Sequence, residues 1–363
     1  MVSPIDERAL QLGGAQVLLA DLASALAARG HDIRLAAADG SHVAGAHVLA
    51  LGIDAGALRP ADLGKTTGER ADAAAQAAAF DRVRAWLDTH VSDVDAVHAH
   101  AYDAPAFESL AGAPVPVVHT LHLPPNDRAV VRAARDAARR GALLVTVSEW
   151  NAAAWRTAGV DVTRVVPNGV ALPPDDRAGA RGPHLLYAGR ISPEKGVEDA
   201  IAVAERVGRP LLLVGAVYDE HYFASTVARR VRRDERWTIG EPVDGALYAG
   251  ARTRDVLRRI MDGAAAMLMP VRWDEPFGLV AVEGLAAGTP VAAYRRGGIA
   301  EIVDETCGAL AEPGDVADLD RAVRRALTRR HDACRRRAER FSLDLMVTRY
   351  EALFREVIAG RIR

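Results

Sequence analysis

Residues 269–302 carry the stretch that decides the fold: Met-Pro-Val-Arg-Trp-Asp-Glu-Pro-Phe-Gly-Leu-Val-Ala-Val-Glu-Gly-Leu-Ala-Ala-Gly-Thr-Pro-Val-Ala-Ala-Tyr-Arg-Arg-Gly-Gly-Ile-Ala-Glu-Ile. The apolar run 265–269 predicts a buried strand, which Pro270 ends. From Gly278 onward apolar residues recur at helical spacing as far as Gly288, and residues 290–294 again favour a strand. The stretch therefore predicts a strand, loop, helix and strand within a parallel sheet.

The helix predicted to begin at Gly278 directs its unpaired backbone N–H groups toward the carboxyl end of the sheet, where anions bind. Glu275 precedes this helix, and Glu283 lies about a turn and a half inside it. Phosphates need hydrogen-bond donors, whereas carboxylates accept hydrogen bonds from hydroxyl groups. The combination suits a ligand with both groups, such as a nucleotide sugar. Taken singly, either residue is equally well read as an ordinary helix-start or solvated acid.

The whole string resembles the Glu-x7-Glu signature of retaining GT-B glycosyltransferases of family 4. The shared motifs are Glu-Pro-Phe-Gly at 275–278, Gly-Thr-Pro-Val at 288–291 and Gly-Gly-x-x-Glu at 297–301. The sequence departs from the commonest pattern at Gly284, where Ala is usual, and at Trp273. Trp-x-Glu-Pro-Phe-Gly is most similar to the branch with the avilamycin-pathway glycosyltransferase and pterin glucosyltransferases. The resemblance implies that Glu275 holds sugar hydroxyls near the reacting carbon and that Glu283 holds the ribose hydroxyls.

A second motif, Gly-Arg-Ile-Ser-Pro-Glu-Lys-Gly at 189–196, lies on a predicted strand-to-helix loop. Arg190 and Lys195 can converge there on one diphosphate, although two solvated cations are commoner for an arbitrary pair. The string again resembles the family, whose Arg and Lys in this motif neutralise the departing diphosphate. These cations and the helix amides would stabilise the leaving group, so neither a metal ion nor another cofactor is expected.

The first half of the chain carries weaker signals. Gly13 and Gly14 open a predicted helix and form either a phosphate loop or an ordinary turn. They lack the Gly-x-Gly-x-x-Gly spacing, which argues against an NAD site. Residues 1–5 are short for a first strand, so the chain starts late or uses a truncated edge strand. The residues predicted to bind the nucleotide-sugar donor are Gly13, Gly14, Phe277, Gly278, Leu279, Val280 and Glu283.

Four histidines lie close together in the sequence. His98 and His100 share one face of the strand predicted at 96–100, but no Cys or acidic partner at a recognisable spacing supports a zinc site. His119 is predicted near the end of the strand 115–120, directed into the ligand crevice, and His122 follows in the loop. By resemblance, His119 occupies the position of the family's histidine near the donor sugar, so we include it among the catalytic residues.

Length and composition set the remaining bounds. A chain of 363 residues exceeds what one hydrophobic core usually supports, and its 46 basic and 48 acidic side chains nearly cancel. Nothing therefore demands nucleic acid or an acidic membrane as a partner, and a solvated face is the commoner reading of the basic helix near 335–340. Two cysteines without metal-ligand spacing, no signal peptide and no long apolar run favour a cytoplasmic protein without a transmembrane segment.

Alternating strands and helices in both halves, separated by a loop-like stretch at 165–183, predict two doubly wound domains. We expect an acceptor-binding Rossmann-like domain at 1–170, a nucleotide-sugar-binding Rossmann-like domain at 171–342 and a last helix, 343–363, that crosses back onto the first. The second domain is predicted to include a helix at 219–233 and a short strand at 238–239. The resemblance implies the GT-B fold, with both domains facing a central cleft.

The resemblance also implies an enzyme. It would move a hexose, with retention, from a nucleotide diphosphate sugar to a hydroxyl of a small-molecule or saccharide acceptor, a UDP-sugar being the favoured donor. The main alternative is a GDP-mannose-dependent mannosyltransferase of cell-envelope glycan assembly. A sugar phosphorylase that uses pyridoxal phosphate and a nucleotide-sugar-binding protein without turnover remain as alternatives from other classes.

Overall fold

The computed structural model describes residues 5, 14–54, 69–174 and 181–360. The chain divides into two compact units. Unit 1 comprises Met1–Pro167 and Leu343–Arg363, and unit 2 comprises Asn168–Ser342. The prediction about Gly13 lies outside the described residues, and so does the prediction of a first strand at residues 1–5 except for Ile5.

Unit 1 is built on a parallel sheet of four strands in the order β3-β4-β5-β6, with a separate parallel pair β1-β2. Its strands are β1 (Ile33–Leu35), β2 (Ala46–Val48), β3 (Val97–Ala99), β4 (Val117–Leu121), β5 (Leu143–Thr146) and β6 (Arg164–Val165). Its first five helices are α1 (Gly14–Ala28), α2 (Glu69–Thr89), α3 (Ala104–Leu110), α4 (Arg128–Arg139) and α5 (Glu149–Thr157). Every residue of β4 and β5 is buried, as expected for central strands covered on both faces.

Side-chain caps fix where two of these helices begin. The Asp127 carboxylate accepts hydrogen bonds from the backbone N–H groups of Ala129 and Val130 at the start of α4. The Ser148 hydroxyl accepts one from Asn151 at the start of α5. Both caps satisfy donors that the first helical turn leaves unpaired.

Unit 2 contains a seven-stranded parallel sheet in the order β13-β12-β11-β7-β8-β10-β9. Its strands are β7 (Leu185–Ala188), β8 (Leu211–Val214), β9 (Arg232–Arg233), β10 (Ala246–Tyr248), β11 (Ala266–Met269), β12 (Val291–Tyr294) and β13 (Gly308–Ala311). Its helices are α6 (Val197–Val207), α7 (Glu220–Tyr222), α8 (Arg254–Asp262), α9 (Leu279–Ala286), α10 (Ile299–Ile302), α11 (Val316–Ala326) and α12 (His331–Glu339). The last helix, α13 (Leu343–Ile358), belongs to unit 1.

The strand order of unit 2 contains a reversal that marks a binding crevice. After β7 the chain continues to β8 on one side of the sheet, whereas after β11 it continues to β12 on the other side, and β7 and β11 are neighbours. In open parallel sheets, ligands bind outside the carboxyl ends of the strands at such a reversal. The loops after β7 and β11 are therefore the natural place for the site of unit 2.

The prediction of a single helix at 219–233 is wrong in its second half. α7 gives way to a π-helical turn over Phe223–Val227, closed by the Ala228 N–H donating to the Phe223 carbonyl at 2.8 Å. Phe223 is buried against the Tyr248 ring, and Arg232–Arg233 pair with β10 as an edge strand. Packing on β10 overrides the helical pattern.

The short strand predicted at 238–239 is also wrong. The Thr238 N–H donates to the Glu241 carboxylate at 2.7 Å, which closes a turn, and Ile239 is 47% exposed. The apolar side chain of Ile239 suggested a strand, but it lies exposed in a turn.

Gly284 has a packing reason to depart from Ala. It is buried in α9 against β11, where an added Cβ would lie 2.7 Å from Cε of Met267. The Met267 side chain already fills the space that an Ala methyl group at position 284 would need. Alanine would therefore fit at this position only if Met267 moved.

The arginines of α12 make contacts within their own unit. Arg335 donates to the carbonyls of Pro173 and Pro174, and Arg337 donates to the carbonyls of Glu301 and Ile302. Among the described residues, no helix has the length and apolar character needed to cross a bilayer.

Candidate active site

The loops that follow β7 and β11 pack directly on each other. Gly196 has φ +67°, and an added Cβ would lie 1.9 Å from the Pro270 carbonyl oxygen. The backbone N–H of Arg272 donates to the backbone carbonyl of Glu194 at 2.8 Å. Only glycine fits at position 196, because both the left-handed backbone and the close approach exclude a side chain. This contact brings the two sequence motifs together.

Lys195 and Glu275 form an ion pair at the centre of this contact. The Nζ of Lys195 lies 2.7 Å from Oε2 of Glu275, and the two side chains are only 17% and 16% exposed. The Trp273 indole N–H donates to the same oxygen at 3.0 Å, and the indole ring lies 4.9 Å from the ammonium group. Trp273 therefore holds both members of the pair, one by a hydrogen bond and the other by a cation–π contact.

The backbone of Glu275 is fixed by the glycine pair after β12. The Gly298 N–H donates to the Glu275 carbonyl at 2.7 Å. Gly297 has φ +58°, and an added Cβ would lie 2.1 Å from the same carbonyl oxygen. The Gly-Gly-x-x-Glu motif thus supports the carboxylate through its main chain.

Arg190 lies on the same loop as Lys195. Its guanidinium group is 4.7 Å from the centre of the Tyr218 ring and 3.6 Å from a carboxylate oxygen of Glu194. Glu194 in turn accepts a hydrogen bond from the Ser192 hydroxyl at 2.6 Å. Arg190 keeps 23% of its side chain exposed, so it is held in place and still accessible to an anion.

A second charged network holds the loop after β11 against α6. Arg272 donates to both carboxylate oxygens of Asp199, at 2.8 and 3.2 Å, and to Glu198 at 2.6 Å. Burial opposes the charge of Arg272, but these carboxylates raise the pKa of Arg272 above its ordinary value. The Tyr294 hydroxyl also donates to Asp199, and burial raises the pKa of Tyr294. The paired Arg272 anchors the loop that presents Trp273 and Glu275.

The remaining donor-site candidates of unit 2 lie at the start of α9. Leu279 and Val280 are its first two residues, so their backbone N–H groups lack partners within the helix. Gly278, with φ +105°, precedes them, whereas the Phe277 side chain is 4% exposed and packs edge-on against Phe341. A ligand can therefore contact the backbone of Phe277 but not its ring.

Glu283 lies further along α9. Its carboxylate is 3.6 Å from the guanidinium group of Arg254 at the start of α8, and it is 23% exposed. A small cavity of unit 2 opens beside this pair; the pair itself and residues of α8, α9 and 170–173 line it. A ribose hydroxyl that binds Glu283 would meet a carboxylate whose charge Arg254 already balances.

His119 and Gly14 lie in unit 1. Gly14 is the exposed first residue of α1. His119 is 0% exposed, its ring stacks on Phe107 at 4.4 Å, and neither ring nitrogen has a hydrogen-bond partner among the described residues. The predicted contact of His119 with a donor sugar stays a prediction, and its burial does not favour it.

His122 lies where the sequence placed His119. It follows β4 at the carboxyl end of the sheet, is partly exposed, and its Nε2 lies 2.9 Å from Nδ1 of His100. The alternation of strand side chains explains the difference, because His119 faces the α3 side of β4, whereas the loop carries His122 past the sheet edge. Among the described residues no group of three or more His, Cys, Asp or Glu side chains is arranged to hold a metal ion.

Burial of His119 predicts acid sensitivity. Desolvation lowers the pKa of His119 to about 3, against an ordinary value near 6.5, so between these values the unfolded chain binds a proton that the folded chain does not. The contribution of neutral His119 to the free energy of unfolding is therefore fully present above about pH 6.5 and is lost as the pH falls toward about 3. At pH 5 the loss from His119 is about 2 kcal/mol of unfolding free energy. Urea titrations at pH 7 and pH 5 measure it.

The variant His119→Phe provides the control for this prediction. Its ring keeps the stacking on Phe107 and cannot titrate, so we expect a smaller loss of stability between pH 7 and pH 5 than in the unmodified protein. Equal losses in both proteins would show that His119 is not the responsible group.

Sequence reasoning missed four contacts of this site. In the sequence, Trp273 is notable only as a departure from the family pattern. Its position two residues before Glu275 does not predict the hydrogen bond between the two side chains. Tyr218, Arg254 and Arg272 lie 28, 29 and 73 residues from their partners Arg190, Glu283 and Asp199, so no local pattern joins them. The position of His122 just after a buried strand indicates a ligand contact, but the prediction from sequence assigns that contact to His119.

Comparisons with known proteins identify the family of the chain. Two family models match the chain: Glycosyltransferase Family 4 over residues 12–172 and Glycosyl transferases group 1 over residues 176–341. Glycogen synthase of Mycobacterium tuberculosis is 35% identical over 150 residues, which are 39% of this chain and 33% of that protein. The match thus spans about a third of the length of this relative.

Two solved structures are similar over nearly the whole chain. AviGT4, a glycosyltransferase involved in avilamycin A biosynthesis, superposes with a TM-score of 0.70 and 24% identity, covering 98% of this chain and 93% of AviGT4. HepE of Anabaena, in complex with UDP, gives a TM-score of 0.69 and 20% identity, covering 98% and 100%. The predicted fold class is confirmed. Because the two family models together span most of its residues, the chain belongs to the family 4 glycosyltransferases, with the GT-B fold.

Proposed function

We propose that the protein is a retaining glycosyltransferase. It moves a hexosyl group from a nucleotide diphosphate sugar, with a UDP-sugar favoured, to a hydroxyl of a small-molecule or saccharide acceptor. The observation that carries the proposal is the arrangement after β7 and β11, where Lys195 pairs with Glu275, Arg190 shares the loop of Lys195, and α9 begins four residues after Glu275.

Glu275 suits the binding of sugar hydroxyls. Its Oε2 already accepts hydrogen bonds from Lys195 and Trp273, whereas Oε1 has no partner among the described side chains and backbone groups. A carboxylate held through one oxygen presents the other in a fixed direction. We infer that Oε1 accepts hydrogen bonds from hydroxyls of the donor sugar and that Glu283 does so for the ribose.

The leaving diphosphate finds donors on the same elements. Arg190, Lys195 and the first N–H groups of α9 supply positive charge and hydrogen bonds, which a departing diphosphate needs most as its bond breaks. In this proposal they do the work of a metal ion, and none is required. The bond between the anomeric carbon and the diphosphate oxygen breaks, and the acceptor oxygen bonds to that carbon on the same face.

The acceptor proton passes to the leaving phosphate oxygen in this mechanism. In this proposal Glu275 binds the sugar and does not attack it; the ammonium and the indole N–H that hold Oε2 draw charge from the carboxylate, which supports this role. Mass spectrometry of the protein during turnover should find no sugar on Glu275. A trapped glycosyl ester there would replace this mechanism with a two-step displacement.

Unit 1 contributes His122 and the acceptor site in this proposal. His122 is the histidine after β4 that a ligand can reach, so we assign it the substrate contact in place of His119. The similarity to AviGT4, which acts in avilamycin A biosynthesis, supports a small-molecule acceptor, and the UDP bound to HepE supports a UDP-sugar.

Ligand binding tests the proposal first. Thermal unfolding is measured with UDP, GDP, ADP and their common sugar conjugates, each with and without EDTA. A rise in Tm with UDP or UDP-sugars that survives EDTA supports the metal-independent transferase. A selective rise with GDP-mannose favours the mannosyltransferase of envelope assembly, and no rise with any nucleotide contradicts the proposed donor site.

Two further measurements separate the other classes. A pyridoxal phosphate absorbance band in the purified protein would indicate a sugar phosphorylase. Binding of a nucleotide sugar without transfer to any of a panel of hydroxyl acceptors would favour a binding protein.

Replacing Trp273 with Phe tests the support of Glu275. The variant keeps an aromatic ring beside Lys195 but loses the indole N–H that donates to Glu275. We expect kcat/KM for the donor to fall about tenfold, since a hydrogen bond to a charged group is lost. Steady-state kinetics at varied donor concentration measure the change.

Trp237→Phe is the matched control. The Trp237 indole is buried and donates to the Glu241 carbonyl at 3.3 Å, away from the β7 and β11 loops. Its kcat/KM should stay near that of the unmodified protein. Equal losses in the two variants would mean that Trp273 acts through general packing and not through Glu275.

A further inference from the structure

A continuous chain of hydrogen bonds crosses one face of the unit 1 sheet. It begins at the partly exposed loop after β4, runs through the ends of β3 and β4, and finishes on α13. Its members, in order, are His122, His100, His98, Thr120 and Tyr350. We call it the histidine chain.

Each link has hydrogen-bond length. The Nε2 of His122 lies 2.9 Å from Nδ1 of His100, and Nε2 of His100 lies 3.2 Å from Nδ1 of His98. The Nε2 of His98 lies 2.8 Å from Oγ1 of Thr120, which lies 3.0 Å from the Tyr350 hydroxyl. Because these ring nitrogens pair with one another, they do not converge on a common point as metal ligands would.

The chain of three imidazoles has a direction. A neutral imidazole carries one N–H and one lone pair, so a ring that donates on one side must accept on the other. Burial lowers the pKa of His98 to about 3 and of His122 to about 4, and it lowers the pKa of His100 as well, so all three are neutral at pH 7. All links among them therefore point the same way.

Tyr350 and Thr120 together decide which way. Tyr350 is 1% exposed, and among the described residues the one hydrogen-bond partner of its hydroxyl is Thr120. Were Thr120 to donate to Tyr350, the phenolic O–H would be buried without an acceptor, which disfavours that arrangement about tenfold or more. Tyr350 therefore donates to Thr120. The Thr120 hydroxyl, also 1% exposed, then has Nε2 of His98 as its acceptor, and every member is satisfied.

We propose that the Thr120 hydroxyl, acting through the histidine chain, places the proton of His122 on Nδ1, so that His122 meets the substrate as a hydrogen-bond donor. In this direction each member donates to the one before it, and Nε2 of His122 accepts. Its Nδ1–H, which has no partner among the described residues, remains for a substrate oxygen. Thr120 is a positioning residue, since it acts through the chain and touches no reacting atom.

This proton position limits the roles that His122 can have in a reaction. A ring that presents an N–H cannot remove a proton from an acceptor hydroxyl, so His122 is not the general base. It can bind a sugar or phosphate oxygen. That the oxygen belongs to a glycosyl donor or acceptor rests on the proposed function, whereas the proton position does not.

Histidine 15N NMR of the full-length, ligand-free protein at pH 7 tests the proposal, because protonated and unprotonated ring nitrogens have distinct chemical shifts. His122→Asn identifies the signals of His122. We expect the Nδ1–H form to exceed the Nε2–H form at least about tenfold in the unmodified protein. In Thr120→Val no hydroxyl meets Nε2 of His98, so the direction is no longer imposed, and the two forms should reach comparable populations.

Tyr102→Phe is the matched control, because the Tyr102 hydroxyl donates to the Pro124 carbonyl in the same unit but outside the chain. It should keep the Nδ1–H form. Tyr350→Phe should keep that form as well, because the Thr120 hydroxyl still has Nε2 of His98 as its acceptor. A predominant Nε2–H form in the unmodified protein, or unchanged populations in Thr120→Val, would overturn the proposal. Neither result depends on transferase activity, so the proposed function can fail separately.

Discussion

Replacing Lys195 with Ala is expected to lower kcat at least a hundredfold. The side chain stabilises the departing diphosphate in the proposed mechanism, and removal of one such group typically costs a factor of about 10² to 10³. The substitution also leaves Glu275, which is 16% exposed, without its cation. The measurement is single-turnover transfer at saturating donor, which separates chemistry from binding.

Glu275→Gln separates the two roles of the ion pair. It keeps Lys195 in place and retains an oxygen for sugar hydroxyls, while removing the charge that the ammonium neutralises. If Lys195 served only to hold Glu275, both variants would lose similar activity. Unchanged kcat in Lys195→Ala, with the Tm close to that of the unmodified protein, would remove Lys195 from the reaction.

Replacing Gly297 with Ala is expected to lower kcat about a hundredfold while the protein stays folded. The new Cβ would lie 2.1 Å from the Glu275 carbonyl oxygen, so the Glu275 main chain must shift. A displacement near 1 Å at a catalytic group costs about 10² in rate. Kinetics and far-UV circular dichroism of the same preparation measure both effects.

Gly314→Ala is the control for backbone strain. Gly314 has φ +81° in the same unit, and an added Cβ there would meet no atom within 4 Å. Both variants carry the cost of a left-handed alanine, about 1 kcal/mol of unfolding free energy, but only Gly297→Ala presses on Glu275. Similar activity in the two variants would contradict the role assigned to the glycine pair.

Much of the fold followed from local patterns. Strands β7, β8, β11 and β12 are buried apolar runs of four residues, each with proline or glycine at one end or both, and β11 and β12 lie where such runs predicted them. Arg190 and Lys195 were placed correctly after β7, and Glu275 after β11, because the carboxyl ends of parallel strands follow from strand order. The helix prediction failed at Phe223 because of packing between segments, and the strand prediction failed at Ile239 because a side chain closes a local turn.

The site was predictable as a set of residues but not as a set of contacts. Lys195 and Glu275 are 80 residues apart, and no local rule states that they share an oxygen with Trp273. Nor does spacing show whether the histidine of a strand faces the core. The ring of His119 lies in the core, and only the structure reveals the exposure of His122.

The place of α13 in unit 1 bears on how the chain is made. A ribosome releases the residues of unit 2 as one uninterrupted segment, whereas unit 1 waits for its last helix until all of unit 2 has been synthesised. α13 supplies Tyr350 to the β4 face and Glu351 to an ion pair with Arg29 of α1. The domain that is synthesised first is therefore the one whose native contacts close last.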